Sequence, residues 1–389
     1  MRHEHDDWTL RTAEWVLPGH PDKLSDAIAD SIVQAAWRKD PRALVGIEVA
    51  LVRKSVFLTG RIAGANTEQL CVESLVHNVF ASAGYSEKSA LRVSDLHVVT
   101  DLCRGPLEGN ESELRASSDD QSIVTGYACS SPGTSCLPVE HALARHLAKA
   151  LHAFVRTDSS SFGQDGKVIV FVRESPDARR WELDALSVSV EQLGEACSTG
   201  GAYQLRVAMQ RALDVFAQRV PGFSHAPSVP MHVNGNGWTG VGGPMSDNGL
   251  SGKKLVVDFY GPRVPIGGGA MSGKDFWKVD RAGPLIAREL AVKAIERHGC
   301  REAFVTLGIC PGETLFRVVR IEAENRIRLD ARQLAASVDL RLASRARWLE
   351  GKDLVEVARW GHWTEESKLK EYDGDRTTMR QLSTSPVAM

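Results

Sequence analysis

The residues richest in possible chemistry lie between 229 and 280, where glycines and charged side chains crowd together. Gly267-Gly268-Gly269-Ala270-Met271-Ser272-Gly273-Lys274-Asp275 contains the spacing GxxxxGK, in which backbone amides and a lysine can wrap a phosphate chain. The match to a P-loop is incomplete. Pro262 and Pro265 spoil the strand that should precede it, and Asp275 stands where a magnesium-binding hydroxyl belongs. What survives is an anion-cradling loop, with a glycine hinge and a solvated lysine as the plainer reading. Lys253, Lys254, Lys274, Lys278 and Arg281 accumulate nearby, interleaved with Asp247, Asp275 and Asp280. Lysines offset polyphosphate charge, and carboxylates beside them can hold magnesium through one or two direct bonds. At the other end, Gly19-His20-Pro21-Asp22-Lys23 sets an imidazole, a carboxylate and an ammonium at a helix start, where unpaired amides already favour anions. Simple capping by His20 and Asp22 is the competing account. Asp120-Gln121, and Asp165 with Lys167, are ordinary loop-end polar residues when taken singly.

These groups need elements to position them. Over residues 21–37, Leu24, Ile28, Ile32 and Ala36 recur every four positions with Asp26 and Asp30 on the other side, predicting an amphipathic helix with Pro21 in its first turn. Residues 44–52 and 56–62 read as a hairpin across Arg53-Lys54-Ser55. Asn66 and Gln69 suggest a capping box for a helix running to about Ala83, and residues 91–100 return as strand. The order repeats: helix 139–154, strands 167–173 and 181–190, helix 204–218; then helix 284–297, strands 303–309 and 314–321, helix 331–342. The expected fold class is therefore α+β, in three pseudo-repeated units of helices on mostly antiparallel sheets: 1–104, 118–240 and 241–389, with termini exchanging between units.

The 389 residues correspond to roughly two or three domains, and 43% hydrophobic with 25% charged residues excludes disorder, collagen and coiled coil. Forty-seven basic residues against 49 acidic leave a net charge of −2, so no global field exists to hold nucleic acid or a membrane surface. No window approaches the ~20 apolar residues of a membrane span, and the polar opening lacks a secretory pattern, so a cytoplasmic protein is expected. The seven cysteines are scattered without a CxxC pair and read as reduced, mostly buried thiols.

Taken in order, these segments resemble the S-adenosylmethionine synthetases (methionine adenosyltransferases) over nearly the whole chain. The most specific runs are Gly19 to Lys23, Gly242-Gly243-Pro244-Met245 through Asp247 to Gly252, and Gly268 to Asp275 followed by Lys278-Val279-Asp280-Arg281. The resemblance implies a three-fold internal repeat, a homodimer with active sites between subunits, or a tetramer of such dimers, and two substrates, ATP and a thioether. Two Mg2+ ions and K+ are the implied cofactors. His20 would hydrogen-bond the leaving triphosphate while Lys167, Lys254, Lys274 and Lys278 neutralise it. Asp120, Asp165, Asp247, Lys253, Lys23, Ser272, Gly273 and Arg281 would line the ATP site. Asp22 and Asp280 would bind magnesium, and Glu48 would serve potassium. Arg61, Arg104, Asp247 and Leu307 would face the acceptor.

The chain also departs from that family. Gly60-Arg61 replaces Gly-Glu, a charge reversal near the expected methionine site, and Arg104 falls about where a glutamine belongs. The family's GAGDQG becomes Ser117-Ser118-Asp119-Asp120-Gln121-Ser122, and an Arg-Phe pair whose ring packs on adenine becomes Trp238-Thr239, with Trp238 a substitute stacking surface. In a dry pocket Arg61 would repel an ammonium; alternatively it pairs with an acid such as Glu48 or Asp101 and props the site. The leading expectation is ATP-dependent adenosyl transfer to methionine or a similar thioether. An adenosyltransferase for another acceptor, a nucleotide-binding regulatory homologue and a triphosphatase are the alternatives.

Overall fold

A computed structural model describes residues 7–87, 89–113, 116–157, 161–193, 200–235, 237 and 241–363. In chain order, β1 (Thr9–Val16) leads into α1 (Pro21–Lys39), the hairpin β2 (Leu44–Val52) and β3 (Ser55–Ala63), α2 (Val72–Ala83) and β4 (His97–Gly105). The second round is β5 (Ser122–Cys129), α3 (Val139–Thr157), the hairpin β6 (Phe162–Glu174) and β7 (Trp181–Gln192), α4 (Gly200–Arg219), then the short strands β8 (Phe223–His225) and β9 (Met231–Val233). The third is β10 (Asn248–Leu250), α5 (Leu255–Asp258), α6 (Val279–His298), the hairpin β11 (Glu302–Ile309) and β12 (Arg317–Ala323), α7 (Ala331–Ala335) and α8 (Leu354–Trp360).

The chain is therefore α+β, and its leading strands are exchanged in a cycle. β1 pairs with β6, β5 pairs with β11, and β10 pairs with β2, so each round lends its first strand to the next sheet or, for the third, back to the first. These pairs and the three hairpins are antiparallel; β4, β8 and β9 join in parallel. Each sheet buries one face under helices around its own apolar cluster. Ile28, Ile32 and Leu58 mark the first core, Leu147, Val170 and Phe216 the second, and Ile286, Val305 and Leu290 the third. Among the described residues no helix is long and apolar enough to cross a membrane.

Several expectations are corrected. Asn66 has φ 59° and makes no cap hydrogen bond; a 3-10 turn intervenes and α2 starts after Cys71. The third-round helix expected over 331–342 closes after Ala335, and Leu342–Arg345 forms a separate 3-10 turn. The residues before β4 are a 3-10 turn, so that strand lies later than its apolar run suggests. Thiols are less buried than expected: Cys71, Cys103 and Cys310 are exposed, Cys136 is half-buried, and only Cys129 and Cys300 are buried among the described residues. Cys197 lies outside them.

The largest correction concerns α1, which is enclosed on nearly every side. Asp26 and Asp30 do not face water. Asp30 is fully buried and clamped by Arg281, also fully buried, through Nη1–Oδ1 and Nη2–Oδ2 contacts of 2.5 and 2.9 Å. Lys23 is enclosed between Asp26 (3.1 Å) and Asp258. A buried charge is tolerated only with a partner, and removing one partner strands the other. Asp30→Ala is expected to cost about 3–5 kcal/mol in chemical denaturation, and adding Arg281→Met to recover more than half of it. Independent, additive losses in the double variant would show that the two side chains are not energetically linked.

Candidate active site

Pro21 opens α1, and His20 sits at its N-cap, where Nδ1 accepts the Asp22 amide at 3.2 Å. That bond fixes the neutral tautomer with the proton on Nε2. The Nε2 atom is buried and has no hydrogen-bond partner among the described residues, so its N–H is an uncommitted donor. Burial pushes the imidazole down to about 3, helped by the charges of Lys167 and Lys254 and, less, Lys253, with Asp247 opposing. His20 is thus a neutral hydrogen-bond donor at neutral pH, ringed by cations.

Those cations come from distant segments. Lys254 Nζ lies 3.3 Å from Asp22 Oδ2, and Lys253 Nζ lies 3.6 Å from Asp22 Oδ1. Lys167 follows Asp165 on β6, the strand beside β1. The loop carrying Lys253 and Lys254 is fixed by α1 itself: Asp22 Oδ1 accepts the Leu250 amide at 3.1 Å and Asp26 Oδ1 accepts the Gly252 amide at 2.8 Å. A turn further on, Asp30 Oδ1 accepts the Gly273 amide at 2.9 Å. Residues four apart share one helix face, so three carboxylates hold both glycine loops in a row. Gly249 must be glycine because any Cβ would meet the Pro21 carbonyl, and Gly273 has φ 84° and abuts the Ile47 carbonyl.

A second polar group forms where the Gly273 loop meets α6. Lys274 Nζ pairs with Asp280 Oδ2 at 2.6 Å, Ser122 donates to Asp280 Oδ1 at 2.9 Å, and Lys278 pairs with Asp119. Asp120, next to that aspartate, is exposed and accepts the Gln121 amide. Asp22 and Asp30 are eight helical residues apart, so the two groups are held by anchor points roughly 12 Å apart along α1. Among the described residues no hydrogen bond or ion pair joins the His20 group to the Lys274 group.

The remaining expected site residues divide. Asp165 is buried beside Lys167; Oδ2 accepts the Gly243 amide at 3.0 Å, Oδ1 has no partner among the described residues, and burial pushes the carboxyl up to about 6. Asp247 is exposed at the rim near His20. Ser272 keeps a buried Oγ in the glycine loop with no hydrogen-bond partner among the described residues. Glu48 accepts from Ser251, which links it to the Lys253 loop. Lys23 and Arg281 are not available to a nucleotide, since both are sealed in ion pairs with Asp26, Asp258 and Asp30. Leu307 is fully buried in the third core and cannot face an acceptor. Arg61 is clamped by Glu111 through 2.5 and 2.7 Å contacts, and also reaches Cys103 and Pro106. It ties down the 103–111 loop, with Glu111 and not Glu48 or Asp101 as its acid. Arg104 donates to the Leu70 carbonyl. Trp238 and Thr239 lie outside the described residues.

Residues 8–104 match the model of the S-adenosylmethionine synthetase N-terminal domain, and residues 241–366 that of its C-terminal domain. The chain is 33% identical over 296 residues to the S-adenosylmethionine synthase of Acholeplasma laidlawii, covering 73% of this chain and 74% of that protein. It is 30% identical over 334 residues to S-adenosylmethionine synthase 2 of Rhodospirillum rubrum, covering 84% and 83%. The chain belongs to the S-adenosylmethionine synthetase family. It is accordingly an enzyme, a transferase of the methionine adenosyltransferase type.

Sequence reasoning missed Asp26, Asp30, Asp119, Ser122 and Glu191, the last a buried carboxylate that accepts the Gly242 amide at 2.8 Å. The acidic row at positions 22, 26 and 30 was visible, but a carboxylate row on a helix ordinarily means a wet face. Because His20 titrates near 3 when folded and near its ordinary 6.5 when unfolded, stability is expected to fall as pH drops from 6.5 towards 3. The unfolded chain takes up the proton first. NMR titration of the His20 ring checks this; a midpoint near 6.5 in the folded protein would contradict the enclosed, cation-ringed placement.

Proposed function

We propose that this synthetase transfers the adenosyl group of ATP to the sulfur of methionine and releases the triphosphate chain as pyrophosphate and phosphate. The observation that carries this reading is the buried, uncommitted His20 Nε2–H beside Lys167, Lys253 and Lys254. In the displacement a sulfur lone pair bonds to the ribose C5′, the C5′–O bond breaks, and its electron pair leaves on the triphosphate; water then attacks one phosphorus of that triphosphate, a P–O–P bond breaks, and pyrophosphate and phosphate result. A neutral sulfur attacks while a polyanion departs, so the rate depends on preorganised donors and cations at the leaving group, with no need for a general base. His20 donates to the departing oxygen. Lys167, Lys253 and Lys254 offset the charge that grows there, and Asp165 and Asp247 orient the nucleoside end.

Arg61 belongs to this reading as a prop. Its charge is met by Glu111, so it sets up no repulsion against the methionine ammonium, which favours methionine over a more acidic acceptor.

Magnesium and potassium fit the donors on hand. Among the described residues no cluster of three His, Cys, Asp or Glu side chains could hold a metal alone. Asp22 and Asp280 each offer one hard carboxylate beside a lysine, the donor set of a magnesium ion that draws its other oxygens from phosphate and water. Such an ion would supply further charge neutralisation on the phosphates. Glu48 with Ser251 would serve K+.

The enzyme works as a homodimer in this account. The His20 group of one subunit would be completed by Lys274, Lys278, Asp280 and Asp120 of a second copy. Apolar side chains exposed on the open sheet faces, Phe57 with Val99 and Ile123 with Val319, support such a pairing. We place the enzyme in the cytoplasm, where exposed thiols such as Cys71 and Cys310 stay reduced, and read its three sheets as the three repeated units.

Incubation with ATP and magnesium, with and without methionine, tests the reaction. S-adenosylmethionine is expected only with methionine present; phosphate release without adenosylated product would overturn the assignment. Lys254→Met should lower kcat by about 10²–10³ with ATP KM changed only a few-fold, as for loss of a donor to developing charge. Equal losses in binding and turnover would refute that role.

A further inference from the structure

We propose that Tyr85 is a positioning residue for adenosyl transfer, whose buried hydroxyl sets the distance between the His20 donor and the loop that grips the nucleoside end. Tyr85 stands just past α2, where the chain turns sharply. Gly84 closes the helix at φ 107°, its amide donates to the Ala81 carbonyl at 3.0 Å, and the Tyr85 amide donates to the Phe80 carbonyl at 3.1 Å. Paired bonds of this kind form a Schellman turn, which brings the residue after the glycine back onto the last turn of the helix. Here the Tyr85 ring meets the Phe80 ring edge-on at 5.4 Å inside the first core. Helix end and packing thus aim the side chain before its hydroxyl makes any bond.

The hydroxyl reaches two backbone segments at once. Oη donates to the Gly19 carbonyl at 2.9 Å. That carbonyl belongs to the peptide unit whose N–H, on His20, donates to the Leu17 carbonyl at 3.0 Å, so the unit that carries the imidazole is held at both of its polar atoms. On its other side the oxygen abuts Gly243, where φ is 60° and a Cβ would strike it. The Gly243 amide donates to Asp165, and the Gly242 amide before it donates to Glu191 Oε1, whose other oxygen accepts the Gln164 amide at 3.2 Å. Two buried carboxylates from β6 and β7 therefore pin the loop from behind, and Tyr85 fixes how close it comes to His20. Burial, then the charges of Asp165 and Glu191, raise the Tyr85 phenol well above its ordinary value, so it stays a donor at neutral pH.

This role rests on the proposed function, whereas the contacts themselves do not. The displacement requires sulfur, C5′ and the departing oxygen in line. His20 serves the departing oxygen and Asp165 the nucleoside end, so a shift between their backbones moves C5′ relative to its leaving group. A misplacement of about 1 Å costs about 10²-fold in rate. Being enclosed, Tyr85 acts through Gly19 and Gly243 and not on the reacting atoms. A phenylalanine at this position would fill the same space and lose only the bond.

Tyr85→Phe in the full-length protein tests the proposal, since it keeps the ring and removes the hydrogen bond. The variant is expected to lose about 10- to 100-fold in kcat with ATP KM changed only a few-fold. NMR of the folded variant without substrates should show the His20 ring signals displaced and the Leu290 amide, in the third core, unmoved. Phe80→Leu is the packing control, and it should lower the melting temperature while kcat stays within about twofold of wild type. Wild-type kcat in Tyr85→Phe, an equal loss of kcat in Phe80→Leu, or unmoved His20 signals each overturn the positioning role. Should Tyr85→Phe fail to fold, Gly243→Ala is read in the same way: its Cβ presses on Oη, and His20 signals that stay in place contradict the transmission. Failure of the reaction itself looks different, because wild type then forms no S-adenosylmethionine while the His20 signals still respond to Tyr85→Phe. That result overturns the catalytic part of the role together with the reaction and leaves the contact standing.

Discussion

A row of buried carboxylates on one helix is the constraint on which this enzyme's site depends. Asp22, Asp26 and Asp30 accept the amides of Leu250, Gly252 and Gly273, and so convert two glycine-rich loops from mobile connections into fixed scaffolding. The helix pitch sets the spacing. The loops can come this close only because Gly249 and Gly273 carry no Cβ to strike the Pro21 and Ile47 carbonyls. The carboxylates are in turn made tolerable by Lys23 and Arg281, which spend their charge inside the fold and not on substrate. Asp258, the third member of the Lys23 group, is itself buried, and burial pushes its carboxyl up while Lys23 opposes that shift.

That scaffold makes it possible to gather like charges. Lys253 and Lys254 follow directly on the anchored Gly252, and Lys274 follows directly on the anchored Gly273, so each ammonium leaves a backbone that cannot retreat. Asp22 moderates the charge of Lys253 and Lys254, and Asp280 that of Lys274; burial first, and then the charges of Lys167, Lys254 and Lys253, depress the His20 imidazole. A site arranged in this way favours anionic groups. It is suited to a polyanion whose charge increases during the reaction.

Much of this was legible in the sequence. Hairpins β2–β3, β6–β7 and β11–β12 and the helices between them follow from period-two and period-four patterns, and the glycine runs with their lysines stand out in the sequence as the candidate phosphate loops. The rest required the third dimension. Exchange was expected only at the termini; that β5 and β10, like β1, run into a neighbouring sheet leaves no local signal, because a strand's sequence does not say which sheet it joins. Asp26 and Asp30 have the spacing of a solvated face, and only the ring of loops around α1 buries them. Lys23 and Arg281 were assigned by position within motifs, which cannot distinguish a lysine that meets phosphate from one that neutralises the carboxylate behind it. Arg61 had two outcomes open, and Glu111, on the 103–111 loop, supplied the partner that strand spacing could not reveal.

Hydrogen–deuterium exchange at single amides tests the central claim most directly. If the α1 carboxylates anchor the loops, the amides of Leu250, Gly252 and Gly273 exchange as slowly as core amides of β6 such as Val168, although they lie in or beside loops. If those three amides exchange as fast as Gly268 and Ala270 nearby, the carboxylate row does not hold the site together.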